Sequence, residues 1–208
     1  MRRCLLEPIP EIFEAAAILD RAREAHVAGN AAEAEHWIRA ADDPAIYDWL
    51  NSVWGRRSPE IHTFASMPNS PPTLPIDQRP IPRMPTTMTK REIIARDGYH
   101  CKFCGIPVIT SERRKVIQRL YPDALRWGRS NLEQHAAFQC MWLQYDHVLP
   151  NQRGGPSTPD NVVITCAACN FGRMEYTVEE AGLIDPRTRE RAASWSGYST
   201  WHGLGDFT

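Results

Sequence analysis

Apolar positions recur at helical spacing in the first part of the chain. Ile12, Ala15, Ala16, Leu19, Ala22 and Val27 fall mostly three or four residues apart, and Gly29-Asn30 supplies a stop, which predicts a helix over residues 10–28. A second helix is predicted over 31–41. A third gathers Ile46, Tyr47, Trp49, Leu50, Val53 and Trp54 behind Asp43-Pro44, a capping residue followed by the proline that suits a first helical position. Its aromatic stripe reads as core, not as a ligand site. The pattern then stops. Residues 67–85 hold seven prolines, at 68, 71, 72, 75, 80, 82 and 85. Such a density sustains neither a helix nor a central strand, so the segment reads as an extended linker or as a strap over a neighbouring surface.

Periodicity returns near Thr89. A helix is predicted to Asp97, with Ile93 and Ile94 apolar, Lys90, Arg91 and Arg96 outward, and Gly98 as its end. Residues 111–142 look mainly helical, broken near Pro122 and Gly128. Two short apolar strands follow, at 144–149 and 161–165, joined by the turn-rich stretch 150–156. The second runs into a cysteine pair and then a helix, and the tail from Pro186 has no clear pattern. The resulting organisation is a helical N-terminal region (1–66), a proline-rich linker (67–88), a main domain (89–185, with a helical insertion at about 106–142) and a C-terminal tail (186–208).

Composition adds limits. With 208 residues, 42% hydrophobic and 24% charged, the chain can build a globular core. No run of 18 apolar residues exists, which excludes a membrane-spanning helix. The N-terminus has no long apolar stretch, so no signal peptide is expected and the expected address is the cytoplasm, where thiols stay reduced. The net charge of −1 hides an asymmetry: residues 1–60 carry 7 basic and 11 acidic side chains, residues 79–145 carry 12 basic and 5 acidic. A basic middle fits a polyanion partner, and it equally fits a solvated surface.

The cysteines change the picture. Cys101-x-x-Cys104 and Cys166-x-x-Cys169 are two knuckles whose spacing lets both sulfurs of each pair face one point, and two such pairs complete a tetrahedron around zinc. Four thiolates leave no open position for water, so this zinc is expected to hold structure and not to do chemistry. A redox pair would need a thioredoxin-like setting that the pattern lacks. Cys4 and Cys140 have no partner at ligand spacing and read as small packed or surface residues.

Between and after the knuckles come Asp146-His147, Gly154-Gly155, Asp160-Asn161 and, directly after Cys169, Asn170 with Arg173 three residues on. In this order, CxxC, DH, GG, DN and CxxCN, residues 89–180 resemble the HNH endonuclease family, the ββα-metal nucleases with a zinc-knuckle frame. The resemblance implies an α+β fold: a ββα-metal core with structural zinc, here with a helical insertion and a helical N-terminal region. It implies that Asp146 and Asn170 ligate one divalent metal, that Asn161 orients the catalytic histidine by hydrogen bonding, and that position 170, histidine in many members, makes this an HNN-type variant. Two oxygen ligands with water and phosphate suit Mg2+ or Mn2+ better than zinc or nickel. His147 can be the general base, because neutral imidazole titrates near neutrality. Neighbours on an ideal strand face opposite sides, so Asp146 and His147 share a site only where the strand twists or bulges, or where their side chains converge around its edge.

Arg173, one turn beyond Asn170, is a candidate phosphate clamp. Arg153, Arg126 and Arg129 are further candidate nucleic-acid contacts, the last two in an insertion that carries several arginines among Tyr121, Trp127 and Trp142. The insertion equally reads as packing around Trp142. The expected function is metal-dependent hydrolysis of phosphodiester bonds in DNA. Two rivals are a non-catalytic zinc-stabilised nucleic-acid-binding module and a toxin or defence effector whose helical N-terminus mates with a protein partner. The sequence leaves oligomeric state open.

Overall fold

In the computed structural model, residues 1–54, 58–191 and 200–208 are described. Their regular elements run α1 (Pro10–Val27), α2 (Ala31–Ala40), α3 (Pro44–Trp54), α4 (Thr87–Asp97), α5 (Ser111–Leu120), α6 (Ala136–Cys140), β1 (Gln144–His147), β2 (Val162–Thr165) and α7 (Ala167–Arg173), with four short 3-10 turns. The chain is α+β, and its β1-β2-α7 order is that of a ββα unit.

The N-terminal helices form where their apolar spacing predicts them. α1 buries Ile12, Ala15, Ala16, Leu19, Ala22 and Ala25, mostly small residues that let α2 approach closely. Val27, expected on that face, is 62% exposed, because it ends the helix just before Gly29 (φ 78°) reverses the chain. The Asn30 Oδ1 atom then accepts from the Glu33 backbone and caps α2. Asp43 does the same for α3, accepting from Ala45 N at 2.8 Å ahead of the permitted Pro44. α3 turns Ile46, Trp49, Leu50 and Val53 inward and packs on both α6 and α7. Gly172 in α7 makes that approach possible: a Cβ there would lie 2.8–2.9 Å from Leu5 and Val53. Residues of α1 to α3 thereby share one continuous core with residues of the ββα unit.

The insertion is less helical than its sequence predicts. Helix covers only α5 and α6, and residues 121–135 are irregular apart from a 3-10 turn at Asn131–Glu133. Pro122 lacks a donor, and the Glu133 carboxylate turns back to accept from the backbone of Arg129 and Ser130, which stabilises a tight turn in place of helix. Three of its six basic side chains bond within the fold. Arg114 stacks 3.8 Å over Trp127, Arg113 donates to the Phe207 carbonyl, and Arg126 donates to Asp42 and to the Leu132 carbonyl.

Asp42, just past α2, joins that helix to the insertion. Its oxygens accept from Ala136 N at 2.7 Å and Arg126 Nε at 2.8 Å, and His135 Nδ1 lies 3.8 Å away. The His135 ring is fully buried, with Nε2 donating to the Ile38 carbonyl at 2.8 Å. Burial pushes its pKa below the ordinary 6.5, outweighing the pull of Asp42. Burial also raises Asp42, but His135, Arg126 and the Ala136 amide outweigh it and hold that carboxyl low. On acidification through about 6.5 the unfolded chain therefore takes up a proton at position 135 that the folded chain refuses, and stability falls with pH. Loss at Asp42 comes later, below its ordinary 3.8. Thermal melts between pH 7.5 and 5 should show a declining midpoint, and His135→Gln, which can still donate to Ile38, should make that decline shallower, leaving the part contributed by His147, whose pKa is also depressed. An equal slope in the variant would refute the assignment.

The sheet is antiparallel, pairing Asp146 with Val163 and His147 with Val162. The free edge of β2 is closed by two bonds to Ile164: its N–H donates to the buried Asp97 carboxylate at 3.0 Å and its carbonyl accepts from Lys102 N at 2.8 Å. The proline-rich segment lies along the β1–β2 loop, where Leu74 N donates to Gln152 O at 2.7 Å and Asn151 Nδ2 to Pro80 O at 2.9 Å. The patternless tail falls partly on 192–199, outside the described residues. Its end packs: Trp201 Nε1 donates to Val108 O, and buried Phe207 stacks on His26.

Candidate active site and metal centre

The knuckles come from distant parts of the chain. Cys101 and Cys104 sit in the turn after α4, closed by Gly105 N to Cys101 O at 2.9 Å, and Cys166 caps the start of α7 with Cys169 one turn in. All four are buried, and their sulfurs lie within 4.8 Å of one another, with Cys104 and Cys166 at 3.6 Å. Sulfurs held about 2.3 Å from a tetrahedral ion sit about 3.8 Å apart, so the cluster has the size of a metal cage. Cys4 and Cys140 are buried nearby and free, and burial pushes both thiols up, so they remain protonated fillers.

The second knuckle opens α7, so Asn170 and Arg173 project from its far end toward β1. Asp146, His147, Asn170 and Arg173 line one cavity of about 530 Å³, together with Arg79, Arg83, Phe171 and Glu175 among others. Strand alternation does not separate Asp146 from His147, because His147 is the last residue of β1, where the ladder ends. Asp146 is buried and His147 half-buried.

Arg173 differs most from expectation. It is 1% exposed, with Nη2 bonded to Asp146 Oδ1 at 2.5 Å and to the His147 carbonyl at 2.7 Å, and Nη1 on the Tyr176 carbonyl. It holds β1 to α7 and is not a surface clamp. Removing one member of such a buried pair typically costs about 3–5 kcal/mol. The other carboxylate oxygen, Asp146 Oδ2, is buried with no hydrogen-bond partner. Burial pushes the Asp146 carboxyl up, and Arg173 only partly offsets this. An orphaned carboxylate oxygen in a cavity that is also lined by Asn170, whose Nδ2 makes one long 3.5 Å bond to Gln144, fits a hard cation.

Asn161 also acts otherwise than expected. Its amide bonds Leu149 N at 2.9 Å, Leu149 O at 3.0 Å and Pro156 O at 2.9 Å, clamping both ends of the β1–β2 loop. The tandem glycines serve that clamp. Gly154 takes φ 90°, and at Gly155 a Cβ would meet the Leu149 carbonyl oxygen at 1.7 Å. The partner of the His147 ring is Ser157, whose Oγ lies 2.9 Å from Nε2. Ser157 donates its one hydroxyl proton to the Arg83 carbonyl at 2.9 Å, so Nε2 must be the donor to Oγ, and Nδ1 carries the free lone pair. Burial, Arg173 and Arg83 depress the His147 pKa to about 4, so the ring is neutral at neutral pH.

Of the other expected contacts, Arg153 is tied to Glu180, the Glu175 carbonyl and the Pro71 carbonyl, and Arg126 to Asp42. Arg129 is exposed, and neither it nor Arg126 lines the cavity. Sequence reasoning missed Ser157, Arg79 and Arg83. Ser157 had no signal beyond its place after the double glycine, whereas the two arginines lay inside the basic stretch.

No helix among the described residues is long and apolar enough to cross a membrane. No curated protein and no solved structure matches the chain. The family model described as HNH endonuclease matches residues 132–172, a span that holds Asp146, His147, Asn161, the second knuckle and Asn170, so this part of the chain is similar to an HNH endonuclease domain, with the four-cysteine cluster beside it compatible with that family's zinc knuckles.

Proposed function

We propose that the chain is a metal-dependent endonuclease that hydrolyses phosphodiester bonds in DNA, framed by a structural zinc on Cys101, Cys104, Cys166 and Cys169. The supporting observation is the single cavity lined by Asp146, His147 and Asn170 inside the HNH-matched span. Asp146 Oδ2 and the Asn170 amide would hold one Mg2+ or Mn2+. Bound there, the ion would supply positive charge to the phosphate and the leaving oxygen. His147 Nδ1 takes the proton of the attacking water, while Ser157 holds the opposite nitrogen and fixes the ring plane. Arg173 favours the ionised form of Asp146 against burial, and it keeps β1 aligned with α7.

The Arg173–Asp146 pair also favours a second reading, since a carboxylate already neutralised could belong to a module that only binds nucleic acid. One assay separates the two. Purified protein incubated with plasmid and magnesium or manganese should nick it, and EDTA should stop the reaction. Binding without cutting in either metal would establish the second reading.

A further inference from the structure

The proline-rich strap carries the guanidinium groups best placed to meet a substrate. Prolines deny it strand pairing, so it is docked chiefly through its carbonyls. Arg153 Nη1 donates to Pro71 O, Asn151 Nδ2 to Pro80 O and Ser157 Oγ to Arg83 O, each at 2.9 Å, and Leu74 N donates to Gln152 O at 2.7 Å. All four anchors lie in one loop, residues 151–157, between the two strands of the site. The docking puts Arg79 and Arg83 on the wall of the cavity that holds Asp146, His147 and Asn170.

The cavity's other arginine is already committed. Arg173 is buried with both terminal nitrogens bonded. Arg79 is half-buried and donates through Nε to Leu74 O at 3.0 Å, which leaves its two terminal nitrogens. The Arg83 side chain is exposed, and among the described residues no carboxylate or carbonyl engages its guanidinium. Three arginines and two acidic residues, Asp146 and Glu175, line the cavity.

We propose that Arg83, with Arg79 beside it, grips the phosphodiester backbone next to the scissile bond, which makes the strap a substrate-binding part of the site. This rests on the endonuclease reading and assigns to the strap the phosphate contact that buried Arg173 cannot make. A guanidinium fork matches two phosphate oxygens, so lysine should replace it only in part.

The test is fluorescence anisotropy on a labelled DNA duplex and its single strand, in EDTA, with full-length His147→Ala as the non-cutting parent. Adding Arg83→Ala should weaken binding about tenfold and reduce the slope of log K against log salt by about 0.9. Arg83→Lys should recover the slope but not the full affinity. Arg83→Ala alone should also cut plasmid more slowly than wild type. Unchanged affinity and slope would overturn the proposal, as would tighter binding or faster cutting, which would make the strap an obstruction. If wild type binds but does not cut, and Arg83 still sets the salt slope, the strap contact stands and the endonuclease reading falls. If wild type cuts and Arg83→Ala changes nothing, the reverse holds.

Discussion

Replacing Cys166 with serine is expected to strip a bound metal from the purified protein and to lower its melting temperature by roughly 10 °C or more. The four sulfurs converge from two segments more than 60 residues apart in sequence, and among the described residues the backbone bond joining the two knuckle regions is Lys102 N to Ile164 O. Metal–thiolate bonds would thus be the main tie between the turn after α4 and the start of α7. Structural zinc sites contribute about 10–16 kcal/mol of apparent binding energy in small peptides that fold only around the ion. Here α1 to α3 share a continuous apolar core with the ββα unit, so the loss should be several kcal/mol rather than complete unfolding. Cys140→Ala is the matched control: that thiol is buried beside the cluster but outside it, so this variant should lose packing and keep its metal. Metal content by atomic emission with thermal melts reads both. A Cys166→Ser protein with full metal and the parent's melting point would remove the metal centre from this account.

Much of this architecture was legible because it rests on local rules. Helical spacing marked α1, α2 and α3, and the ordered CxxC, DH, GG, DN and CxxCN motifs marked the segment that the HNH model later matched. What escaped depends on distant partners. Arg173 reads from sequence as a candidate phosphate clamp one turn past Asn170, but it is buried with its guanidinium bonded to Asp146 and to the His147 carbonyl of β1. Asn161 was expected to orient the histidine by hydrogen bonding. It instead closes the loop behind it, because the Gly155 backbone comes near enough for both ends to reach one amide. Proline content announced that 67–85 would be neither helix nor sheet. It could not say that Asn151 and Ser157 would hold that strand of chain against the cavity and set the histidine's tautomer through the Arg83 carbonyl.

His147→Ala is expected to reduce plasmid cleavage by about 10²- to 10⁴-fold, the usual contribution of a positioned general base. The fold should survive, since the half-buried ring has one side-chain hydrogen bond, to Ser157, and Ser157 keeps its bond to Arg83 O when the ring is gone. A single proton makes Nδ1 the basic atom. The serine hydroxyl has only one, the Arg83 carbonyl can only accept, and so the hydrogen between Nε2 and Oγ must come from the ring. That leaves Nδ1 bare without any change of protonation. His147→Gln offers an amide of similar reach with no basic nitrogen, so it too should fail to cut, whereas a purely structural role at this position would let glutamine rescue activity. Single-turnover cleavage by the parent and both variants, alongside circular dichroism and metal content, separates the cases. Parental rates in His147→Ala would leave water activation to some other group in the cavity, and Asp146, buried and ion-paired to Arg173, would be a poor substitute.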